Sequence, residues 1–137
     1  VETLIIEPKR EWPNTVFQSH SKWEQNNILL LPDTRFSPHS ILDNIQTDLE
    51  LGADISIGLH MVTNPEKWCI VSNYNLIEKP KSVFGQQQAF GIIGFKKSAG
   101  LTLFDELNYN KSAVLRNTSF QYLETFRDVT RTGIIEE

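Results

Sequence analysis

The pattern of hydrophobic and polar residues changes from a helical to a strand period within residues 36–61. In the first half, apolar residues recur every three to four positions and form one stripe, which predicts an amphipathic helix. The stripe consists of Ile41, Leu42, Ile45 and Leu49. In the second half, apolar and small or polar residues alternate, which predicts a strand over residues 54–62 with one face in the core.

The predicted helix has start and stop signals at both ends. Ser37 is a residue type that caps helices, and Pro38 fits the first helical position, where no backbone N–H is needed. Gly52 is suited to the left-handed conformation that ends many helices. The sequence therefore predicts a helix over residues 38–51.

The remaining pattern predicts several short strands separated by turn residues. They are residues 3–7, 15–20, 27–31, 68–72, 86–95, 101–104 and 112–115. The segment Asn64–Lys67 predicts a turn that pairs residues 54–62 with 68–72 as a hairpin, and residues 96–100 predict a second hairpin tip. Gly91 and Gly94 predict a bend or bulge.

A second helix is predicted at the end of the chain, over residues 118–132. Thr118 and Gln121 have the spacing of a capping box, and Gly133 is a suitable stop. The two helices and about six to seven strands indicate an α+β fold with a mainly antiparallel, curved sheet and both helices on one face. We expect a single domain over residues 1–137, excised from a larger chain if Val1 is not the natural start.

Composition and charge narrow the class of protein. The longest apolar runs are a few residues long, so no membrane-spanning segment is predicted, and no signal peptide is visible. The single cysteine, Cys69, excludes an intrachain disulfide and favours a reducing, cytoplasmic compartment. Net charge of −4 argues against non-specific binding to nucleic acid or membranes. Cys69 lies among apolar residues, where we expect a buried, structural thiol.

His60 is the candidate for acid–base chemistry because histidine titrates near neutral pH. On a concave sheet, its neighbours in a pocket would be Ser56 and Tyr74. The alternative is a histidine on the solvent face of a half-covered sheet.

Aromatic and basic residues suggest a ligand site in the second half of the chain. Residues 67–116 carry a surplus of four positive charges, with lysines at positions 79, 81, 96 and 97. The predicted ligand-binding residues are Trp68, Tyr74, Phe90, Lys96 and Lys97. The alternative is that the aromatic rings are core and the lysines keep turns and edges soluble.

The sequence contains no motif that specifies a metal or a cofactor. The three histidines lack metal-ligand spacing, and Gly91–Gly94 is neither a phosphate loop nor a dinucleotide fingerprint. We therefore predict no cofactor and no metal site.

Three functions remain open at this stage. The leading hypothesis is a non-catalytic binding or accessory domain that recognises a small ligand or a protein partner. One alternative is a small enzyme that uses His60 as acid or base. The other is a nucleotide-binding or anion-binding domain of a larger, for example viral, protein. Unpaired sheet edges also leave a homodimer open.

Overall fold

The computed structural model describes residues 11–30 and 34–128, and within them the α+β prediction is confirmed. The helices are α1 (Trp12–Gln18), α2 (Ile41–Glu50) and α3 (Lys97–Asn110). The strands are β1 (Asn26–Leu29), β2 (Thr34–Ser37), β3 (Ile55–Val62), β4 (Cys69–Ser72), β5 (Asn75–Glu78), β6 (Gln87–Lys96), β7 (Ser112–Val114), β8 (Thr118–Tyr122) and β9 (Thr125–Asp128). No helix in this part of the chain is long and apolar enough to cross a bilayer. The strand predicted at 3–7 lies outside it.

Seven strands form one mixed, mostly antiparallel sheet in the order β7-β5-β4-β6-β3-β8, with β1 also paired to β6. The β3–β8 pair is parallel, and the other pairs of this sheet are antiparallel. The strands β2 and β9 form a separate two-stranded ribbon.

The large sheet is strongly curled, as the sequence predicts, but it is not closed. β7 and β8 stand at opposite ends of the strand order, yet only residues 115–117 connect them. An extended connection of this length spans at most about 14 Å, so the two ends of the sheet must approach each other. A cleft on the face that carries Leu59 lies near the β4–β5 turn.

Helices cover both faces of the sheet, so the prediction that they share one face is wrong. The α2 side chains Ile41 and Ile45 pack on Ile92 on one face. On the other face, α3 buries Phe104 and Leu107 against the main core, and α1 packs beside α3. The reason is that β3 and β6 are buried on both sides of the sheet over most of their length.

The helix predicted at 38–51 exists, but it begins at Ile41 instead of Pro38. Ser37 is not a cap because it is the last residue of β2, where it pairs with Thr125 of β9. The predicted stripe is confirmed, since Ile41, Ile45 and Leu49 are buried. The predicted stop is confirmed too: Gly52 has a φ of 115°.

The two glycines predicted to mark a bend serve different purposes. The β3–β6 register shifts after Gly58, so that Gly91 is the extra residue of a bulge, as predicted. Gly94 instead lets α2 approach the sheet, because a Cβ there would lie 2.2 Å from Cγ2 of Ile45.

The strand predicted at 101–104 and the hairpin tip at 96–100 are wrong, because both lie in α3. Gly100 suggests a turn, yet it sits inside the helix, where it lets the ring of Phe95 pack against the backbone. Leu103, Phe104 and Leu107 have helical spacing and are buried.

The strand predicted at 15–20 is also wrong, since those residues continue from α1 into a short 3₁₀ turn. Pro13 suggests a break, but it stands in the first turn of α1, where proline is tolerated.

The C-terminal helix predicted at 118–132 is wrong over its described part, which forms β8 and β9. Phe120 pairs with Ile57 in the parallel ladder, and the strand-favouring Thr118 and Tyr122 pair with β3 as well. Pairing with β3 thus outweighs the helical spacing of the apolar residues, because the β-branched residues of this segment already lower its helix propensity. Residues 129–132 lie outside the described part.

The hairpin predicted between residues 54–62 and 68–72 is wrong in its pairing. β6 lies between β3 and β4, and it pairs with both. The 3₁₀ turn Pro65–Lys67 therefore belongs to a connection from β3 to β4 that passes over β6, and it does not join two neighbouring strands.

One carboxylate fastens α2 to the sheet. Asp48 Oδ2 accepts a hydrogen bond of 2.8 Å from the hydroxyl of Ser56 and another of 2.8 Å from Nε2 of Gln121. Ser56 is fully buried, so its hydroxyl depends on this acceptor.

Replacing Asp48 by alanine is expected to lower the free energy of unfolding by about 1–3 kcal/mol, because it leaves a buried hydroxyl unpaired. Urea denaturation measures the change. Asp43→Ala on the exposed side of the same helix is the control, and we expect a loss of about 0.5 kcal/mol or less. Equal losses in the two variants would contradict this role of Asp48.

Candidate functional site

A cavity of about 560 Å³ opens where the N-terminal helix meets the ends of β5 and α3. Its volume lies within the range of small-molecule sites. Among the described residues, its lining combines one aromatic ring, two carboxylates and three ammonium groups, from Glu11, Trp12, Glu78, Lys79, Lys81 and Lys111. We call it the lysine pocket.

Backbone hydrogen bonds fix the end of β5, which carries Glu78 and Lys79, against two neighbouring segments. The N–H of Glu78 donates to the carbonyl of Lys111 at 2.8 Å, and the N–H of Lys79 donates to the carbonyl of Trp68 at 3.0 Å. Glu78 therefore lies at a fixed place between the end of β5 and the end of α3.

Two of the three lysines occupy left-handed backbone conformations. Lys79 has a φ of 45° and Lys111 a φ of 59°, a region that favours glycine or asparagine. Lys111 follows the last residue of α3, where glycine is the usual choice. Turn chemistry does not explain lysine at either position.

The rim of the pocket is charged and exposed to solvent. Lys111 forms an ion pair with Glu11, and both side chains are more than half exposed. Such an exposed pair contributes little to stability. Within the described part of the chain, Lys79 and Lys81 form no ion pair, so their ammonium groups can bind an external anion.

Glu78 differs from the rim because its carboxyl group is partly buried. Burial raises the pKa of Glu78, and the charge of Lys79 opposes that shift. Its Oε2 is buried and has no hydrogen-bond partner among the described residues. Ionised, this oxygen can accept a hydroxyl of a ligand, and protonated it can donate to a ligand oxygen.

Cys69 lies opposite Glu78 in the β4–β5 ladder and belongs to the main core. Burial raises the pKa of its thiol, and the nearby charge of Glu78 raises that pKa further. Since the thiolate is the nucleophile, burial disfavours reactivity at Cys69, and the prediction of a buried cysteine is confirmed.

Trp12 forms the aromatic wall of the pocket. Its ring centroid lies 5.3 Å from that of Phe90 and 6.2 Å from that of Phe104, so the core fixes its orientation. Phe90, a predicted ligand residue, is buried beneath Trp12.

The titration of Glu78 gives a testable dependence on pH. A raised pKa means that the folded state favours the protonated carboxyl, so its contribution to stability is complete below about 4.5, the ordinary pKa, and is lost as pH rises through the raised pKa. We expect Glu78→Gln to gain stability relative to the natural protein between pH 4 and pH 7. Thermal denaturation at both pH values measures the gain, and an unchanged difference in midpoint would contradict it.

The other predicted lysines lie away from the pocket. Lys96 approaches Asp54 at 4.0 Å, and Lys97 begins α3. Lys97 and Lys111 are at opposite ends of this helix, about 20 Å apart.

The structure does not bring His60, Ser56 and Tyr74 together. His60 is 8% exposed, and its ring centroid lies 5.0 Å from that of Trp68. It therefore belongs to the face that carries Val62 and Ala89, opposite the lysine pocket. Trp68 is half-buried against that cluster, whereas Tyr74 lies near Phe120 on the other face.

The sequence analysis notes Lys79 and Lys81 as lysines of a basic stretch, but it does not join them with the other residues that line the lysine pocket. The available signal is a glutamate that ends an apolar strand and is followed at once by Lys-Pro-Lys, at residues 78–81. Trp12 and Lys111 give no such signal, because folding alone brings them to this loop. Among residues 11–30 and 34–128, no group of three or more His, Cys, Asp or Glu side chains is arranged to hold a metal.

Comparisons with known proteins give matches in structure. No protein-family model matches the chain, and no curated protein matches its sequence. A structure from Bacillus anthracis, assigned as a glucose-1-phosphate thymidylyltransferase and solved in complex with sucrose, has a TM-score of 0.63 and 13% identity, over 90% of this chain and 57% of its own. HddC from Yersinia pseudotuberculosis, complexed with GMP-PN, has a TM-score of 0.56 and 12% identity, over 91% of this chain and 60% of its own.

These similarities show a shared fold, and this chain spans less than two thirds of either neighbour. The hypothesis of a non-catalytic binding or accessory domain is contradicted by these neighbours, of which one is named as a glucose-1-phosphate thymidylyltransferase and the other is complexed with GMP-PN. The alternatives of an enzyme and of a nucleotide-binding domain agree better with them.

Proposed function

We propose that the lysine pocket binds a phosphorylated sugar, as the sugar-phosphate site of a nucleotidyltransferase-like enzyme. The observation that carries this proposal is the position of Glu78. Glu78 lines a cavity whose rim bears Lys79, Lys81 and Lys111, and one oxygen of its carboxylate is buried without a hydrogen-bond partner among the described residues. A ligand that has hydroxyl groups at one end and a phosphate at the other satisfies both features.

Each part of the pocket recognises a different part of such a ligand. The ammonium groups of Lys79 and Lys81 bind the phosphate through charge-assisted hydrogen bonds. The carboxylate of Glu78 accepts sugar hydroxyls, which excludes ligands that leave its buried oxygen unpaired. The ring of Trp12 supplies a flat apolar surface for the face of the sugar.

The fold supports placing this site in a nucleotidyl transfer. In that reaction an oxygen of the sugar phosphate attacks the α-phosphorus of a nucleoside triphosphate, and pyrophosphate leaves. The residues of the lysine pocket would bind and orient the sugar phosphate. The ammonium groups of Lys79 and Lys81 would keep the attacking oxygen of its phosphate at the mouth of the pocket. The named activity of the Bacillus anthracis neighbour is of this type.

Isothermal titration with four probes tests the proposal. The probes are a hexose 1-phosphate, the neutral hexose, a nucleoside monophosphate and inorganic phosphate. We expect the hexose 1-phosphate to bind at least tenfold more tightly than the hexose or inorganic phosphate alone, because only it engages both ends of the pocket. If the nucleoside monophosphate bound most tightly, the ligand of the pocket would be a nucleotide instead of a sugar phosphate. If no probe bound, the proposal would be refuted.

A further inference from the structure

We infer that Glu11 restricts the lysine pocket to ligands with a single phosphate group, because its carboxylate occupies one of the three ammonium groups on the rim. This role of Glu11 rests on the sugar-phosphate function proposed above and sets the selectivity of that site. Glu11 forms an ion pair with Lys111. Within residues 11–30 and 34–128, Lys79 and Lys81 form no ion pair. Two positive charges therefore remain, and they balance one phosphate monoester, which carries a charge between about −1.5 and −2 at pH 7.

The ion pair does not serve the helix that follows Glu11. Glu11 stands at the N-cap of α1, yet its side chain makes no capping hydrogen bond there. It reaches Lys111 instead, 100 residues further along the chain and directly after the end of α3. Both side chains are more than half exposed, and an exposed ion pair adds little to stability. An effect on the charge of the pocket therefore accounts for this pair better than an effect on folding does.

The backbone holds Lys111 beside the two other lysines, within reach of a second anionic group on the same ligand. The N–H of Glu78 donates to the carbonyl of Lys111 at 2.8 Å, and Lys79 directly follows Glu78 in the chain. These residues line one cavity together with Lys81 and Glu11. Without the charge of Glu11, the rim would present three ammonium groups to a ligand instead of two.

The carboxylate of Glu11 acts against a second phosphate in two ways. An ammonium group that is paired with a carboxylate attracts a further anion only weakly, because the two opposite charges largely cancel. A phosphate that approached Lys111 would also lie close to the carboxylate of Glu11, and two negative charges at such a distance repel each other. The pocket therefore gives no added attraction to the second phosphate of a bisphosphorylated sugar.

Isothermal titration with a hexose 1-phosphate and with the matching hexose 1,6-bisphosphate tests the role of Glu11. We expect the natural protein to bind the bisphosphate no more tightly than the monophosphate. Glu11→Gln keeps the size of the side chain and removes its charge, so it should raise the affinity for the bisphosphate relative to the monophosphate at least fivefold. The added substitution Lys111→Met should abolish this gain, since Lys111 supplies the charge-assisted hydrogen bonds to the second phosphate.

The control is Glu50→Gln, at the exposed end of α2 on the opposite face of the sheet. It removes the same charge and should leave the ratio of the two affinities unchanged. A natural protein that prefers the bisphosphate, an unchanged ratio in Glu11→Gln, or an equal rise in Glu50→Gln would overturn the role of Glu11, as would a gain that persists without Lys111.

The binding of the hexose 1-phosphate by the natural protein separates the two proposals. If it binds and one of these contrary results is found, the proposed function stands and only the role of Glu11 fails. If neither the natural protein nor Glu11→Gln binds either sugar phosphate, both proposals fail.

Discussion

Replacing Gly94 by alanine is expected to lower the free energy of unfolding by about 3 kcal/mol, at the upper end of the range for overpacked cores. The added Cβ would lie 2.2 Å from Cγ2 of Ile45 and 3.3 Å from Cδ1 of Leu49. Both side chains are buried in the interface between α2 and the sheet, so neither can move without shifting the helix. Urea denaturation with a fixed m-value measures the loss.

Gly58 provides the matched control on the same face of the sheet. A Cβ there meets Cβ of Ile92 at 3.5 Å as its nearest neighbour, which is ordinary van der Waals contact. We expect Gly58→Ala to change stability by about 1 kcal/mol or less. If both variants lose the same amount, the close approach of α2 at Gly94 is not what requires glycine.

The double substitution Lys79→Met/Lys81→Met is expected to weaken binding of a hexose 1-phosphate by at least tenfold. Each lysine can donate a charge-assisted hydrogen bond to the phosphate, and one such bond contributes about 1.5–3 kcal/mol. Stability should change by about 0.5 kcal/mol or less, because both side chains are exposed. Isothermal titration at two salt concentrations measures the effect, and the salt dependence should decrease together with the affinity.

The control for this variant is Lys97→Met, which removes a positive charge at the far end of α3. It should bind the hexose 1-phosphate as tightly as the natural protein does. An equal loss of affinity in Lys97→Met would mean that net charge, not the lysine pocket, attracts the ligand.

The sequence predicts those parts of the fold where local pattern and tertiary packing agree. The stripe from Ile41 to Leu49 coincides with burial, and the stop at Gly52 coincides with a positive φ. The alternation of β3 predicts one core face, whereas the strand is buried on both faces because α2 covers the second one. Gly100 and Pro13 mislead because each has a packing or positional role inside a helix that local rules interpret as a break. The sequence pattern does not predict β8, because its partner strand, β3, is more than 50 residues away in the chain.

The lysine pocket could be predicted only in part, for a similar reason. Lys79 and Lys81 are visible as a charged turn, and Glu78 precedes them directly. Trp12 and Lys111 join them only because α1 packs beside α3 and α3 ends against β5. Local spacing carries no information on such contacts, so Lys96 and Lys97, which lie in the same basic segment, are equally good candidates until the fold is known.

NMR spectra of the protein with ¹³C-methylated lysines, titrated with a hexose 1-phosphate, test the central claim most directly. Reductive methylation keeps the positive charge, and single Lys→Arg variants assign each signal. We predict saturable shifts for Lys79, Lys81 and Lys111 and none for Lys22 or Lys97. Shifts spread evenly over all lysines, or confined to residues outside the lysine pocket, would contradict it.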